Sequence, residues 1–221
     1  MKRAVVTGGS RGIGKATCAA FEASGVEAIP VAKSTHGDLS DPCTAEQAAE
    51  AIGAIDFLVV NHGVWVVEPV SLEKMPPTQW ASTVAQNLDS VFYTVRAFGP
   101  KIRKGGAVVI VSSTAGQRGE AMHADYAATK GALIALTKSL AIEMAPDVRV
   151  NCVAPGWTDT DMAAPALTGG GRRRQIEATI PLGRVASAED IAGPIVFLCS
   201  DMARHITGEI LNVNGGSVLC G

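Results

Sequence analysis

The sequence lacks the features that mark membrane-spanning, disulfide-rich and nucleic-acid-binding proteins. None of its apolar runs reaches the roughly 18 residues that a transmembrane helix needs. Its five cysteines are odd in number, widely spaced and without a C-x-x-C pair, which argues against a disulfide framework or a zinc site. Charged residues make up only 18% and the net charge is -2, so we expect neither nucleic acid nor an anionic membrane as a partner.

The length and the apolar content predict one large domain. The chain has 221 residues, 47% of them hydrophobic, and domains average about 150 residues. We therefore expect a single domain over residues 1–221 that buries a full core. The apolar run after Met1-Lys2-Arg3 stops at Gly8, which is too short for a signal peptide, and a cytoplasmic location is expected.

Short apolar runs alternate with helix-length stretches along the chain. The runs lie at residues 3–7, 27–31, 57–61, 107–112, 149–153 and 209–213. The helical stretches lie at 13–23, 45–52, 77–102, 124–144 and 188–198, the last opening with a capping box of Ser187 and Asp190. Most runs are apolar throughout, as in strands buried on both faces. The pattern predicts an α/β fold, a single Rossmann-like doubly wound parallel sheet with helices on both faces. Loops are predicted at 34–42 and 156–181.

A glycine-rich turn, TGGSRGIG at residues 7–14, joins the first strand to the first helix. Glycines permit the tight turn and let a pyrophosphate approach the backbone, while the helix N-terminus offers free N–H groups. The turn predicts a dinucleotide site, and the alternative is a purely structural strand-to-helix turn. The predicted cofactor contacts here are Gly8, Ser10, Arg11, Gly12, Ile13 and Gly14.

The end of the second strand indicates which dinucleotide binds. Residues 30–34 read PVAKS, without the acidic residue that would bind the ribose 2′-OH of NAD. Lys33 and Arg11 are two cations suited to a 2′-phosphate. We therefore expect NADPH as the preferred cofactor, with NAD possible. The alternative is that both are solvated surface charges.

Four polar residues are candidates for catalysis. Tyr126 and Lys130 are four residues apart on a predicted helix, so they share a face, and the alternative is a plain helix-surface pair. A nearby ammonium lowers the pKa of a phenol, which then exchanges a proton with a carbonyl or alcohol oxygen. Ser113 ends a strand, where its hydroxyl can bind the substrate oxygen, although a turn serine is an equal alternative. Asn87 lies inside a predicted helix, a poor place for asparagine, which indicates a specific hydrogen-bonding role.

Together the motifs resemble the short-chain dehydrogenase/reductase family from Lys2 to about Gly216, and most of all its 3-oxoacyl-acyl carrier protein reductases and related ketoreductases. The matching pieces are T-G-x-x-x-G-x-G at 7–14, Asp38-Leu39, Asn61-His62-Gly63, Asn87, Ser113, Tyr126-x-x-x-Lys130, Pro155-Gly156, PLGR at 181–184, ITG at 206–208 and VNGG at 213–216. The resemblance implies a single dinucleotide-binding oxidoreductase domain.

The resemblance also implies roles for the catalytic candidates. Tyr126 would be the general acid, Lys130 would lower its pKa and bind the nicotinamide ribose, and Ser113 would orient the substrate carbonyl. Asn87 would hold a water in a proton relay behind Lys130. The implied partners are a small-molecule carbonyl substrate and further copies of the chain, as a dimer or tetramer formed through the helices with Asn87 and Tyr126 and through the C-terminal region.

Further residues are implied to line the cofactor. Asp38 and Leu39 would border the adenine, and Asn61 and Gly63 the adenosine ribose. The residues implied to flank the nicotinamide and pyrophosphate are Pro155, Gly156, Thr158 and Thr160.

The chain departs from the family pattern in three places. Val60 and His62 replace the usual Asn and Ala around Asn61, and His62, without an acidic neighbour, is predicted to be packed near the cofactor. The segment before Asp38 is too short for the usual helix, so the fold is shortened after the second strand and its adenosine side is predicted to be open. The segment after Gly156 is compact and predicts a small lid.

Other polar residues give weaker signals. The four histidines show no metal-binding spacing, so no catalytic metal is expected. His123 is interpreted either as lining the substrate mouth or as a plain loop residue. The run Arg172-Arg173-Arg174 predicts a solvated mobile loop, with an acidic carrier protein or anionic substrate as the alternative contact.

These patterns predict an NADPH-dependent enzyme that reduces a ketone or β-ketoacyl-type carbonyl to an alcohol, with the proton from Tyr126. The first alternative is an NAD(P)-dependent alcohol dehydrogenase that works in the oxidising direction with the same residues. The second is a non-catalytic nucleotide-binding regulatory protein.

Overall fold

A six-stranded parallel sheet forms the centre of the computed structural model, which describes residues 1–220. The strands follow the order β2-β1-β3-β4-β5-β6 across the sheet. Their bounds are β1 Arg3–Thr7, β2 Glu27–Val31, β3 Ile55–Val60, β4 Ile102–Val111, β5 Val148–Pro155 and β6 Ile210–Val213. All six predicted strands are confirmed, although β4 begins five residues early because Ile102 pairs with Ile55 through a register shift.

Ten α-helices connect the strands in the described part of the chain. Their bounds are α1 Gly12–Ala23, α2 Lys33–His36, α3 Pro42–Ile52, α4 Pro77–Val84, α5 Ser90–Phe98, α6 Thr114–Arg118, α7 Ala124–Glu143, α8 Ala164–Leu167, α9 Arg172–Glu177 and α10 Ala188–Cys199. The capping box at the start of α10 is confirmed, since the Ser187 hydroxyl accepts from Asp190 N–H and the Asp190 carboxylate accepts from Ser187 N–H.

The core lies on both faces of the sheet. Successive residues of a strand point to opposite faces, and in β1 the side chain of Val5 joins one apolar cluster while Val6 joins the other. Helices α3, α5 and α7 cover the face that Val5 enters, and α1 and α10 cover the opposite face. Strands covered on both faces must be apolar throughout, which explains the unbroken runs in the sequence. The predicted Rossmann-like architecture is confirmed.

The chain reverses its direction across the sheet between β1 and β3. From β1 it continues outward to β2, and after β3 it builds the other half of the sheet. The carboxyl ends of β1 and β3 therefore lie side by side at a topological switch point, where α/β proteins bind ligands. The Asn61 side chain, just past β3, donates to the Thr7 carbonyl at the end of β1 (3.2 Å) and ties the two ends together.

Three predicted segments differ from the structure. The stretch 77–102 is not one helix, because a π-helical turn at Ala85–Asp89 separates α4 from α5 and a short 3₁₀ turn follows α5. The predicted loop at 34–42 contains most of the single turn α2, and the predicted loop at 156–181 contains α8 and α9. The arginine run is therefore helical, so a loop was the wrong prediction there, whereas its exposure to solvent is confirmed. Arg173 pairs with Asp159 and Glu177.

Within residues 1–220, no helix is both long enough and apolar enough to span a lipid bilayer. The same residues contain no cluster of three or more histidine, cysteine, aspartate or glutamate side chains suited to a metal ion.

Candidate active site

A cleft of about 540 Å³ opens at the carboxyl edge of the sheet, and nearly all of the predicted site residues line it. Those that line it are Gly8, Ser10, Arg11, Gly12, Ile13, Lys33, Asp38, Leu39, Asn61, Gly63, Ser113, Tyr126, Lys130, Pro155, Gly156, Thr158 and Thr160. Two predicted residues, Gly14 and Asn87, do not line it and lie behind its wall. The cleft volume is of the size that cofactor and substrate sites usually have.

The glycine turn forms one end of the cleft. Gly8 and Gly12 have positive φ angles of 66° and 50°, which favour glycine. A Cβ on Gly14 would lie 2.2 Å from the Gly8 carbonyl oxygen, so Gly14 lets α1 pack against the turn rather than contacting a ligand directly. No side chain caps the N-terminus of α1. Its first N–H groups and the positive end of its dipole are thus left for an anion, and the turn fits a dinucleotide pyrophosphate.

The adenosine end of the cleft carries an ion pair. The Lys33 ammonium lies 2.6 Å from the Asp38 carboxylate, which also accepts from Ser40 and Gln86. Lys33, with these hydrogen bonds, holds the pKa of Asp38 well below its usual range. Arg11 lines the same region and, within residues 1–220, forms no ion pair. Of the two cations expected to hold a phosphate, Lys33 is therefore already neutralised by Asp38, whereas Arg11 keeps its charge for a ligand.

Ser113, Tyr126 and Lys130 meet on the other side of the cleft. Ser113 follows β4 and caps α6 by accepting from Ala115 N–H. Tyr126 and Lys130 lie one turn apart on α7, as the spacing predicted. The Lys130 ammonium donates to the Val111 carbonyl at the end of β4 (2.9 Å) and lies 5.8 Å from the centre of the Tyr126 ring.

The protonation of this pair differs from the prediction that Lys130 lowers the pKa of Tyr126. Burial raises the pKa of Tyr126, the Ser113 hydroxyl opposes that rise, and the Glu120 carboxylate adds to it. Burial also lowers the pKa of Lys130 to about 8. Burial is the largest cause of both shifts, because it removes water from around the charged form of each group. The phenol is therefore protonated at neutral pH.

Asn87 holds the loop after β3 in place. Its side chain is fully buried in the π-helical turn, and it accepts from Val64 N–H (2.7 Å) and donates to the Val64 carbonyl (2.9 Å). It also donates to Thr129 on α7 (3.3 Å). The amide thus fixes the backbone next to Gly63, whose Cβ, if present, would lie 3.6 Å from the Lys130 ammonium. The water relay through Asn87 stays a prediction.

His62 is packed against polar neighbours, as predicted. One ring nitrogen lies 2.7 Å from the Thr7 hydroxyl and the other 2.8 Å from the Ser90 hydroxyl. Burial, with the charge of Lys130, lowers the pKa of His62 to about 4. The ring is neutral at pH 7 and links β1 to α5 beneath the cleft.

Two tryptophans line the cleft and were not predicted as site residues. Trp65 and Trp157 contact each other with ring centres 5.9 Å apart at an angle of 83°. His123, interpreted from the sequence as either a substrate-mouth or a plain loop residue, does not line the cleft and packs against Trp65, with ring centres 5.2 Å apart. The sequence did contain a signal, since two of only three tryptophans lie within two residues of the motif glycines Gly63 and Gly156.

Known proteins share this fold and sequence pattern. A family model described as enoyl-(acyl carrier protein) reductase matches residues 31–217. The 3-oxoacyl-[acyl-carrier-protein] reductase of Salmonella typhimurium is 38% identical, with 97% of this chain and 96% of the relative covered. The L-rhamnose 1-dehydrogenase (NAD(P)(+)) of Azotobacter vinelandii is 34% identical over the same shares. The Salmonella alignment runs over 239 residues, more than the 221 of this chain, so the relative contains residues that this chain lacks.

Solved structures of other proteins share the fold of this chain. A short-chain dehydrogenase/reductase from Brucella melitensis superposes with a TM-score of 0.86 at 31% identity, covering 99% of this chain and 97% of that one. A 3-ketoacyl-(acyl-carrier-protein) reductase from the same organism, complexed with NADH, has a TM-score of 0.88 at 28% identity, covering 99% and 98%. The chain belongs to the short-chain dehydrogenase/reductase family. It is an NAD(P)-dependent oxidoreductase of that family, and the non-catalytic interpretation of the sequence is not supported.

Proposed function

We propose that the protein reduces a ketone or β-ketoacyl-type carbonyl to an alcohol, with NADPH as the preferred cofactor. The observation that carries the proposal is the meeting of Ser113, Tyr126 and Lys130 in one cleft with the uncapped N-terminus of α1. The relatives named as 3-oxoacyl-[acyl-carrier-protein] reductases support the substrate class.

Each catalytic side chain has a distinct task in this proposal. The nicotinamide, when bound, supplies the hydride to the carbonyl carbon. Tyr126 donates its phenolic proton to the substrate oxygen, and the Ser113 hydroxyl orients that oxygen. Lys130, charged below its pKa of about 8, binds the ribose and stabilises the tyrosinate that forms. Asn87 is a positioning residue that acts through Val64.

The remaining predicted residues are proposed to hold the dinucleotide. Residues of the glycine turn receive the pyrophosphate, Asp38 and Leu39 border the adenine, and Asn61 and Gly63 lie along the adenosine ribose. Those proposed to flank the nicotinamide and pyrophosphate are Pro155, Gly156, Thr158 and Thr160.

The protonation of Tyr126 favours reduction over the alternative of alcohol oxidation. A general acid must carry its proton at the working pH, and burial and Glu120 both keep the phenol protonated. An alcohol dehydrogenase would need the same group as a base. Oxidation by the same residues would need the ionised phenol, whose population grows as the pH rises.

The direct test is to titrate the purified protein with NADPH and NADH by nicotinamide fluorescence, then assay a β-ketoacyl thioester with the tighter-binding cofactor. We expect tighter NADPH binding and reduction of the thioester. Tighter NADH binding would overturn the cofactor preference. Strong binding without reduction of any ketone or thioester would overturn the proposed reaction.

Self-association is proposed on the face formed by α5 and α7. Phe92 and Ile142 are 52% and 80% exposed there, and a small apolar hollow between the two helices is lined by Phe92, Val95, Arg96, Leu136 and Leu140. We expect a dimer or tetramer by light scattering after gel filtration. Phe92→Glu should dissociate it and Leu72→Glu, on another exposed apolar residue, should not. A monomeric wild-type protein would contradict the proposal.

A further inference from the structure

Trp65 and Trp157 close the substrate side of the cleft from two directions. Trp65 lies in the loop after β3 and Trp157 in the loop after β5, and β4 lies between those strands in the sheet. Their ring contact therefore spans the carboxyl end of β4, where Ser113 follows the strand. Both indoles line the same cleft as Ser113.

Each indole is supported from behind. Trp65 packs on the buried His123, while Trp157 packs on an apolar cluster of Ala163, Leu167, Ile180 and Val185. These contacts restrain both rings, which favours a pair preorganised for a ligand.

The backbone around His123 is also fixed. Met122, its neighbour, has φ of 68°, a conformation uncommon for residues other than glycine. The Met122 carbonyl accepts from Val70 N–H (2.9 Å), which joins this loop to the loop that carries Trp65. On the other side of Trp65, Asn87 holds Val64 through both backbone groups. The position of Trp65 is thus determined at both ends of its loop.

The geometry of the pair selects the shape of the ligand. Two indoles at 83° form a corner, in which a planar ring that stacks on one indole meets the other edge to face. Both arrangements are favourable for aromatic groups with centres 4.5–7 Å apart. A flexible linear chain makes neither the stacked nor the edge-to-face contact, and it loses more conformational freedom on binding.

The charges near the corner disfavour an anionic ligand. The two charged side chains of the α6 end that line the cleft, Arg118 and Glu120, are paired with each other at 3.1 Å. Asp161, four residues after Trp157, also lines the cleft and forms no ion pair within residues 1–220. An anionic substrate group would have to displace Glu120 from Arg118 and would be repelled by Asp161.

We infer that Trp65 and Trp157 are specificity-determining residues, and that the preferred substrate is an uncharged ketone with a planar aromatic ring close to its carbonyl. This inference rests on the proposed ketone reduction and names its substrate class.

The test compares three methyl ketones with equal numbers of carbon atoms: 4-phenyl-2-butanone, 4-cyclohexyl-2-butanone and 2-decanone. We expect kcat/KM for the phenyl ketone to exceed that for the other two by about 3- to 10-fold. Trp65→Leu and Trp157→Leu should each reduce this ratio towards one. The control Trp80→Leu, on α4 and outside the cleft, should leave the ratio unchanged.

A binding measurement tests the same corner without turnover. In a Trp80→Phe background Trp65 and Trp157 are the only tryptophans, and under tryptophan-selective excitation 4-phenyl-2-butanone should quench them at concentrations where 2-decanone does not. A phenyl preference that survives both leucine variants, or equal quenching by both ketones, would overturn the inference.

The outcomes also separate this inference from the proposed function. If a β-ketoacyl thioester is reduced and the phenyl ketone neither reacts nor quenches, the inference fails while the proposed function stands. If nothing is reduced, the proposed function fails and the quenching alone decides whether the corner binds aromatic rings.

Discussion

The Lys130 ammonium lies 5.8 Å from the centre of the Tyr126 ring and directs its hydrogen bond to the Val111 carbonyl instead of the phenol. The two residues therefore share a helix face without forming an ion pair. Lys130 contributes a buried positive charge near the site where a tyrosinate would form. That arrangement stabilises the product of proton transfer and leaves the resting phenol protonated.

Removal of the Lys130 charge should impair catalysis. We expect Lys130→Met to lower kcat/KM by about 100-fold or more, because the tyrosinate and the ribose both lose their partner. The matched control is Lys138→Met, two turns further along α7 on an exposed position, which should retain activity. Steady-state kinetics on both variants check this, and similar losses in the two would contradict the assigned role.

Glu120 should raise the pH at which the Tyr126 phenol ionises. Its carboxylate raises the pKa of the phenol, so Glu120→Gln should move that pKa to a lower value. Tyr126 and Tyr93 are the only tyrosines, so tyrosinate absorbance in a Tyr93→Phe background reports on Tyr126 alone. As the pH rises, the variant should ionise before the parent, whereas the distant Glu22→Gln should match the parent. An unchanged titration in Glu120→Gln would refute this electrostatic coupling.

Arg11 should contribute more than Lys33 to NADPH preference. Lys33 is paired with Asp38, whereas Arg11 forms no ion pair within residues 1–220. We expect Arg11→Ala to weaken NADPH binding about tenfold or more, with little effect on NADH, and Lys33→Ala to have a smaller effect. Lys15→Ala removes an exposed charge from α1 outside the cleft and should change neither affinity. Equal weakening of NADPH and NADH by Arg11→Ala would argue against a 2′-phosphate contact.

His62 should make the fold sensitive to acid. Its pKa is about 4 in the folded protein against 6.5 in an unfolded chain, so between these values the unfolded chain binds more protons. The stability that depends on neutral His62 is complete above pH 6.5 and is lost as the pH falls towards 4, by about 3 kcal/mol in total.

His62→Ala removes this dependence. At pH 7 the variant should lose about 1–2 kcal/mol of unfolding free energy, since Thr7 and Ser90 keep their other hydrogen bonds. Between pH 6.5 and 4 its unfolding free energy should fall less steeply than that of the wild type, as measured by urea unfolding. Parallel curves for the two proteins would exclude His62 as the acid-sensitive group.

Most of the fold follows from the sequence because strands buried on both faces leave unbroken apolar runs, and all six of these became strands. The single helix predicted at 77–102 was wrong because Asn87 pairs with Val64, a residue distant in sequence, and the helix widens around it. The helix at the arginine run was missed for a similar reason, since Arg173 pairs with Asp159, which lies 14 residues earlier in the segment after β5.

The candidate site was predictable where residues follow strands, because the carboxyl ends of parallel strands converge. The glycine turn and Ser113 could therefore be placed at one edge of the sheet, and the family resemblance added Tyr126 and Lys130 on α7. The protonation of Tyr126 and the Trp65–Trp157 contact could not, because burial and contacts between separate loops depend on packing that sequence spacing does not encode.

The central claim is that Tyr126 is the proton donor, and Tyr126→Phe tests it most directly. Phenylalanine keeps the ring and removes only the hydroxyl, and Tyr93→Phe, on α5, is the matched control for the other tyrosine. We predict that Tyr126→Phe lowers kcat for carbonyl reduction by about 100- to 10,000-fold while NADPH affinity is retained, and that Tyr93→Phe is unaffected. Unchanged turnover in Tyr126→Phe would contradict the account.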